Sequence, residues 1–428
     1  MTDYLEKYVG NVFHSSGRNR GAEVSPAEYL YLSPSVTYDE EEHDKYMKDT
    51  SELLLSIDWD FTDAPSNRGI HSIHPYPAKF IPQIPRKLIE LFHPGDSSII
   101  LDPFCGSGTT LVEAIDLGLD AWGVDLSPIA CLTSKVKTTP LHCDLNEVGK
   151  RLIFKARRQI AEDLVQLPSI PRIDHWFNSE VQKALAALTE QINREDDLPV
   201  REALQVALSS IIVQVSNQEG DTRYAAIAKN VSIEDVLNRF EKAIATVNRA
   251  VTVLSNNLLR RLGHATVLNR NILTITPEDL PSNIGLVVTS PPYPNAYEYW
   301  LYHKYRMYWL GMDPIEVRRH EIGARAHYFS SKKRQDEQDF ERQMGICFHL
   351  LAQIMKPGTK ACFLVGRSII HGKVIDNVAL LQRASKPYGF VAEGIVKRNI
   401  PTTRKTFNPA HSTINEEHLI VFTLRVRL

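Results

Sequence analysis

Two segments of this chain carry side chains whose types and spacing could do chemistry. The first is Asp102-Pro103-Phe104-Cys105-Gly106-Ser107-Gly108-Thr109-Thr110, which follows the apolar run Ser98-Ile99-Ile100-Leu101. Gly106 and Gly108 let the backbone turn tightly and let a ligand approach it closely. A helical pattern runs from Thr109 to Leu117 and stops at Gly118, and a second apolar run, Asp120-Ala121-Trp122-Gly123-Val124, closes on Asp125. A carboxylate at that place can accept hydrogen bonds from both hydroxyls of a ribose. No lysine follows the turn as it would in a phosphate-binding loop, and Asp102 would repel a pyrophosphate. The ligand is therefore expected to be a nucleoside without phosphates, carrying a cationic group; S-adenosylmethionine fits.

The second segment is Thr289-Ser290-Pro291-Pro292-Tyr293, directly after the apolar run Ile284-Gly285-Leu286-Val287-Val288. Successive prolines fix the backbone and remove two N–H donors, leaving carbonyls free to accept. A hydroxyl (Ser290) and a carbonyl (Pro291) beside an aromatic ring (Tyr293) suit a flat base with an exocyclic amino group. The ring stacks on the base while the two oxygens accept the amino hydrogens.

The elements that must position these segments are legible from hydrophobic periodicity. The strands expected at 98–101, 120–124 and 284–288 are joined by four more, at 265–268, 360–365, 390–396 and 418–424, and Lys356-Pro357-Gly358 reads as a turn. Strand, helix and strand in that order imply parallel pairing. Between about 145 and 262 the texture becomes helical, with Leu145, Val148, Leu152, Ala156 and Ile160, and later Val236, Phe240, Ile244, Val247 and Val251, at helical spacing. Ser179-x-x-Gln182 and Ser232-x-x-Asp235 read as helix starts. The expected fold class is α/β, a doubly wound, seven-stranded, mostly parallel sheet interrupted by an inserted all-helical domain. The chain then divides into an acidic leader (1–65), a first catalytic part with the cofactor site (66–140), the helical insert (141–263) and a second catalytic part with the target site (264–428).

Composition narrows the classes. Lys and Arg number 49 against 51 Asp and Glu, a net charge of −2, so nucleic acid would have to be met by local patches. Residues 318–334 and the C-terminal stretch with Lys397, Arg398, Arg404 and Lys405 are such patches, whereas residues 1–60, with the run Asp39-Glu40-Glu41-Glu42, are acidic and read as a solvated leader. The chain has no unbroken run of about 18 apolar residues, and no membrane association is expected. The 5 cysteines are scattered without C-x-x-C spacing, so no disulfide framework and no metal site are expected, and a reducing cytoplasm is the simplest home.

Together these motifs resemble the S-adenosylmethionine-dependent DNA amino-methyltransferases, in the branch whose Ser-Pro-Pro-Tyr segment serves N4 of cytosine. The resemblance includes His74-Pro75-Tyr76-Pro77-Ala78-Lys79-Phe80, similar to the family segment near the methionine part of the cofactor, and Gly123-Val124-Asp125-Leu126, similar to its nucleoside site. It covers roughly 71–136 and 265–428 and implies a Rossmann-like methyltransferase fold. Carried over residue by residue, it implies cofactor contacts from Tyr76, Lys79, Asp102, Pro103, Phe104, Cys105, Gly106, Gly108, Thr109, Asp125 and Leu126. Ser290, Pro291, Pro292 and Tyr293 become the catalytic set. Family members usually offer an acid after the third strand, where this chain has Asn269-Arg270-Asn271; Asn271 is the stand-in contact. Double-stranded DNA is the implied partner, with a cognate restriction endonuclease as a further one.

The expected reaction takes a cytosine out of the duplex, since its amine is otherwise tied up in pairing. Cys105 suggests C5 chemistry, but it lies in the cofactor turn rather than after the fourth strand. Methylation of adenine N6, an RNA methyltransferase and a non-catalytic DNA-binding relic are the rival readings. The aromatic residues from Tyr297 to Trp309 and the corner His175-Trp176-Phe177 read mainly as packing, and Asn217–Tyr224 as a polar loop.

Overall fold

All seven expected runs form strands of one sheet in the computed structural model, which describes residues 49–62, 69–93, 95, 98–220, 223–256, 263–294, 298–329, 334–400 and 416–425. These are β1 (Ile99–Asp102), β2 (Ala121–Asp125), β3 (Ala265–Asn269), β4 (Ile284–Thr289), β5 (Met355–Gly366), β6 (Phe390–Asn399) and β7 (Glu416–Leu424). Their spatial order is β6-β7-β5-β4-β1-β2-β3. The five strands from β3 to β5 are parallel, and β7 runs antiparallel to both β5 and β6. The chain leaves β1 toward β2 on one side and later enters β4 on the other. That reversal opens a crevice at the carboxyl ends of β1 and β4, where sheets of this kind take ligands.

Side-chain alternation builds the two faces. Leu101, Val287, Phe363 and Phe422 face α10 (Glu337–Ile354) and α11 (Asn377–Ser385), whereas Ile100, Leu286, Val288 and Leu364 face α1 (Gln83–Phe92) and α2 (Thr109–Asp116). β4 is buried along its whole length, as a central strand covered on both sides must be.

Between β2 and β3 come α3 (Pro128–Thr138), α4 (Leu145–Ala161), α5 (Ser179–Asn193), α6 (Leu198–Val215) and α7 (Ile233–Asn256). Leu185, Leu208, Phe240 and Ile244 form the middle of a third core, into which Leu132 and Val136 of α3 also pack. Tyr305 and Trp309 join it from α8 (Tyr299–Trp309). α6 has the length and mean hydropathy of a spanning helix, but it is packed inside this core, with 67% of its apolar window buried.

Four details differ from the sequence reading. The α5 start is capped by Asn178, whose side chain accepts from Val181 N at 2.9 Å, one residue ahead of Ser179; Ser232 and Asp235 do cap α7 reciprocally. The expected turn at Lys356-Pro357-Gly358 survives as a bulge within β5, since pairing with β4 skips from Met355 to Lys360. The helical block carries one short hairpin, Gln218–Gly220 with Arg223–Ala226, in the expected polar loop. Residues 49–62 are not a solvated leader. Leu54 and Trp59 are buried, Thr50 and Ser51 bond Glu393 at 3.1 and 2.8 Å, and Arg398 donates to the Trp59 carbonyl. Most of the acidic leader, including the run 39–42, lies outside the described residues.

Candidate active site

The glycine turn is held from three sides. Gly106 N and Ser127 N donate to the two oxygens of Asp125, each at 2.8 Å, so this carboxylate ties the turn after β1 to the end of β2. Ser134 of α3 donates to the Gly106 carbonyl and the buried Lys137 ammonium to the Ser107 carbonyl. Gly108 starts α2 at φ 78°, and a Cβ there would lie 2.7 Å from Ser134 Oγ. Its glycine is thus required by the approach of α3.

Asp102 joins the two motifs. Its Oδ1 accepts from Phe104 N at 3.1 Å and from the Thr289 hydroxyl at 2.6 Å, and Thr289 is the residue before Ser290. Burial pushes the carboxyls of Asp102 and Asp125 up to about 6, against the pull of these donors.

A cleft opens over the turn at the carboxyl ends of β1 and β4, where a sheet of this kind takes its ligands. Of the expected residues, Tyr76, Lys79, Asp102, Pro103, Phe104, Cys105, Gly106, Thr109, Asp125, Leu126, Asn271, Ser290 and Pro292 line it. Gly108, Pro291 and Tyr293 do not. Tyr76 stacks on His303 and Tyr299, with ring centroids 5.0 and 5.9 Å apart. The Lys79 ammonium donates to the His71 carbonyl, and burial lowers its pKa to about 8. The Cys105 thiol is pushed well above its usual range by burial, which unfits it as a nucleophile. Asn271 accepts from Leu273 N, while Asn269 donates to the carbonyls of Asp125 and Leu126, bracing the end of β2.

Tyr293 is only 8% exposed, with its hydroxyl donating to Glu417 Oε1 at 3.0 Å and bonded to Ser290 as well. Glu417 is ion-paired in turn with the buried Arg398. The ring is thus anchored to β7.

The cleft also has a wall that the motifs do not mark: Tyr299, Val317, His320, Glu321 and Ile322. Glu321 is nearly buried, and its sequence neighbourhood, a charged helix end, gives no sign of a site. The remaining soft candidates are mostly structural. Trp176, Phe177, Tyr305 and Trp309 pack edge-on or tilted in the helical core. In the basic segment Arg318 lies over the Trp300 ring, Arg319 pairs with Glu316 and Arg325 covers Phe329. Tyr297, Lys332, Lys333, Arg404 and Lys405 lie outside the described residues. Among the described residues no group of three His, Cys, Asp or Glu side chains is placed to hold a metal ion.

The residues fit an S-adenosyl nucleoside. Three carboxyls (Asp102, Asp125 and Glu321) face one cleft, while two of its cations are engaged, Lys79 with the His71 carbonyl and Arg270 with Asp279. That balance favours a cationic ligand over a phosphorylated one.

Comparison with known proteins agrees with this geometry. A family model described as DNA methylase matches residues 17–135, the part that holds the glycine turn and Asp125. The chain is 31% identical over 242 residues to the type II methyltransferase M.MvaI of Kocuria varians, covering 52% of this chain and 53% of that protein. It is 23% identical over 283 residues to M.BsoBI of Geobacillus stearothermophilus (60% and 55%), and 42% identical over 91 residues to M.MjaII of Methanocaldococcus jannaschii (20% and 17%). The chain spans about half the length of the first of these, and a sixth of the last. These matches are to DNA methyltransferases, and they do not divide the cytosine branch from the adenine branch.

Proposed function

We propose that this protein is a DNA methyltransferase that moves the methyl group of S-adenosylmethionine to the N4 amine of a cytosine turned out of the duplex. The observation that carries the reading is the Asp102–Thr289 hydrogen bond, which fixes the carboxyl end of β1 beside the Ser290–Tyr293 segment so that both line or border one cleft. When bound, S-adenosylmethionine supplies an electrophilic methyl group. Asp125 holds the ribose, Leu126 and Asn271 lie at the adenine, and Tyr76, Lys79 and the turn 102–109 border the rest of the cofactor.

On the target side, Ser290 and the Pro291 carbonyl accept the two amino hydrogens, drawing the conjugated nitrogen toward the tetrahedral geometry in which its lone pair can attack. Pro292 bounds the base, and the buried Tyr293 ring fixes the segment through Glu417. Positioning then supplies most of the acceleration, and the proton leaves the nitrogen after transfer. The block 141–263 is read as an inserted unit that helps hold DNA, and a restriction–modification context with a cognate endonuclease accompanies this reading.

The test is transfer of labelled methyl groups from S-adenosylmethionine to duplex DNA, followed by nucleoside analysis. N4-methylcytosine supports the reading. N6-methyladenine would keep the methyltransferase and overturn the choice of base, and no incorporation into any DNA would favour a binding relic.

A further inference from the structure

The unmarked wall of the cleft is a strap. It comprises α9 (Pro314–His320) and the residues Glu321-Ile322-Gly323. At one end Val317 packs with Ile129 and the partly buried Leu126, beside the nucleoside carboxylate. At the other, Gly323 takes φ +73°, and a Cβ there would lie 2.8 Å from the Tyr293 carbonyl oxygen. The strap therefore crosses the cleft from its Asp125 end to its Ser290 end, and Glu321 lies between the two.

Glu321 is 6% exposed, and its carboxylate is fixed by Tyr299 N at 2.7 Å and Trp300 N at 3.2 Å, the first amides of α8. A carboxylate has about four acceptor sites, so these two bonds orient it without saturating it. The titratable groups that face it are Glu298, Asp125, Tyr76, Tyr299 and Tyr302, with His320 on the same cleft wall. Among the described residues no cation is paired with it. A buried carboxylate facing other acids is costly unless a positive partner arrives.

We infer that Glu321 is a cofactor-binding carboxylate that meets the sulfonium end of S-adenosylmethionine, in the cleft that Asp125 and Ser290 also line. This rests on the cofactor reading above. A cap for α8 alone would need neither the cleft-lining position nor the deep burial.

Burial pushes the Glu321 carboxyl up to about 8, with Glu298 and Asp125 adding to the effect. At neutral pH the free protein thus holds it protonated, and a sulfonium expels the proton. Affinity for S-adenosylmethionine then rises with pH between 7 and 8.5 and levels off above. If the bound pKa falls below 7, the gain is about fivefold to tenfold. Asp102 and Asp125 titrate below this window; Lys79, lowered to about 8, titrates within it for both ligands, so the readout is the difference in pH response between the charged and the neutral ligand.

The experiment is calorimetric titration of the full chain and of Glu321→Gln with S-adenosylmethionine and with S-adenosylhomocysteine, which lacks the sulfonium charge, at pH 7 and 8.5. The wild type should gain for the charged ligand and much less for the neutral thioether. Glu321→Gln should bind the charged ligand about tenfold or more weakly, spare the thioether by comparison, and lose the difference in pH response between the two. Equal pH response for both ligands in the wild type, which needs no variant, would overturn the inference. So would an unchanged preference between the ligands in a folded Glu321→Gln. A wild type that bound neither ligand would instead sink the cofactor reading and this inference with it.

Discussion

The Tyr293 hydroxyl donates to Glu417 at 3.0 Å, and Glu417 pairs in turn with Arg398, whose Nε donates to the Trp59 carbonyl. The Ser-Pro-Pro-Tyr segment is therefore anchored to the antiparallel strand β7 and, through it, to the chain before residue 62. A tyrosine chosen only as a stacking face would not need this anchor.

Tyr293→Phe should consequently cost stability as well as activity. Losing a hydrogen bond to a charged acceptor costs ~1.5–3 kcal/mol. Turnover should fall less than in Tyr293→Ala, which also removes the buried ring that holds the Ser290–Pro292 segment in place. Glu417→Gln should be worse for stability than Tyr293→Phe, because it leaves the buried Arg398 without its counter-charge. Thermal melting and single-turnover methyl transfer rank the three. An unchanged melting temperature for the Phe variant would show that the anchor contributes nothing.

Asp125→Ala should weaken S-adenosylmethionine by two orders of magnitude or more, since about 1.5–3 kcal/mol attaches to each charge-assisted bond to the ribose. It also frees Gly106 N and Ser127 N. Amide exchange at Gly106 should quicken even without ligand. Calorimetry that returned the wild-type dissociation constant would place the nucleoside elsewhere.

Asp102 predicts a pH effect on stability. Its pKa is raised to about 6 in the folded chain, so the native state binds its proton more tightly than the unfolded one. The resulting penalty is absent below pH ~4 and grows as pH rises, becoming complete above pH ~6. It is at most about 3 kcal/mol. In Asp102→Asn the amide oxygen still accepts from Phe104 and Thr289. The variant should therefore lose the pH 4–6 component and melt at or above the wild type at pH 7.5. A wild-type slope retained in the variant would assign that component to other groups, Asp125 first among them.

The sheet was legible because each strand is a short apolar run bounded by turn residues, and because Asp102, Asp125 and Ser290 stand directly at strand ends. Periodicity and local turn chemistry suffice there. Glu321 was not legible, since its role depends on how the backbone after α9 crosses a cleft made by residues far away in sequence. Tyr293 was identified but not its anchor, because its pairing with Glu417 spans 124 positions. The packing of residues 49–62 was missed for a related reason. Acidic composition outweighed Leu54 and Trp59, two apolar side chains too few to give a period.

The third hydrophobic core has a consequence for how this protein can be altered. Leu132 and Val136 precede the helical block, and Tyr305 and Trp309 lie well after it in sequence, yet all four are packed inside it. The block is therefore not a removable cassette. Exchanging it between relatives would strand large aromatic surfaces on α8, the helix whose first amides hold Glu321. Any change in how the block packs must be accommodated by α3 and α8, so variation in that layer is mechanically coupled to the cleft itself.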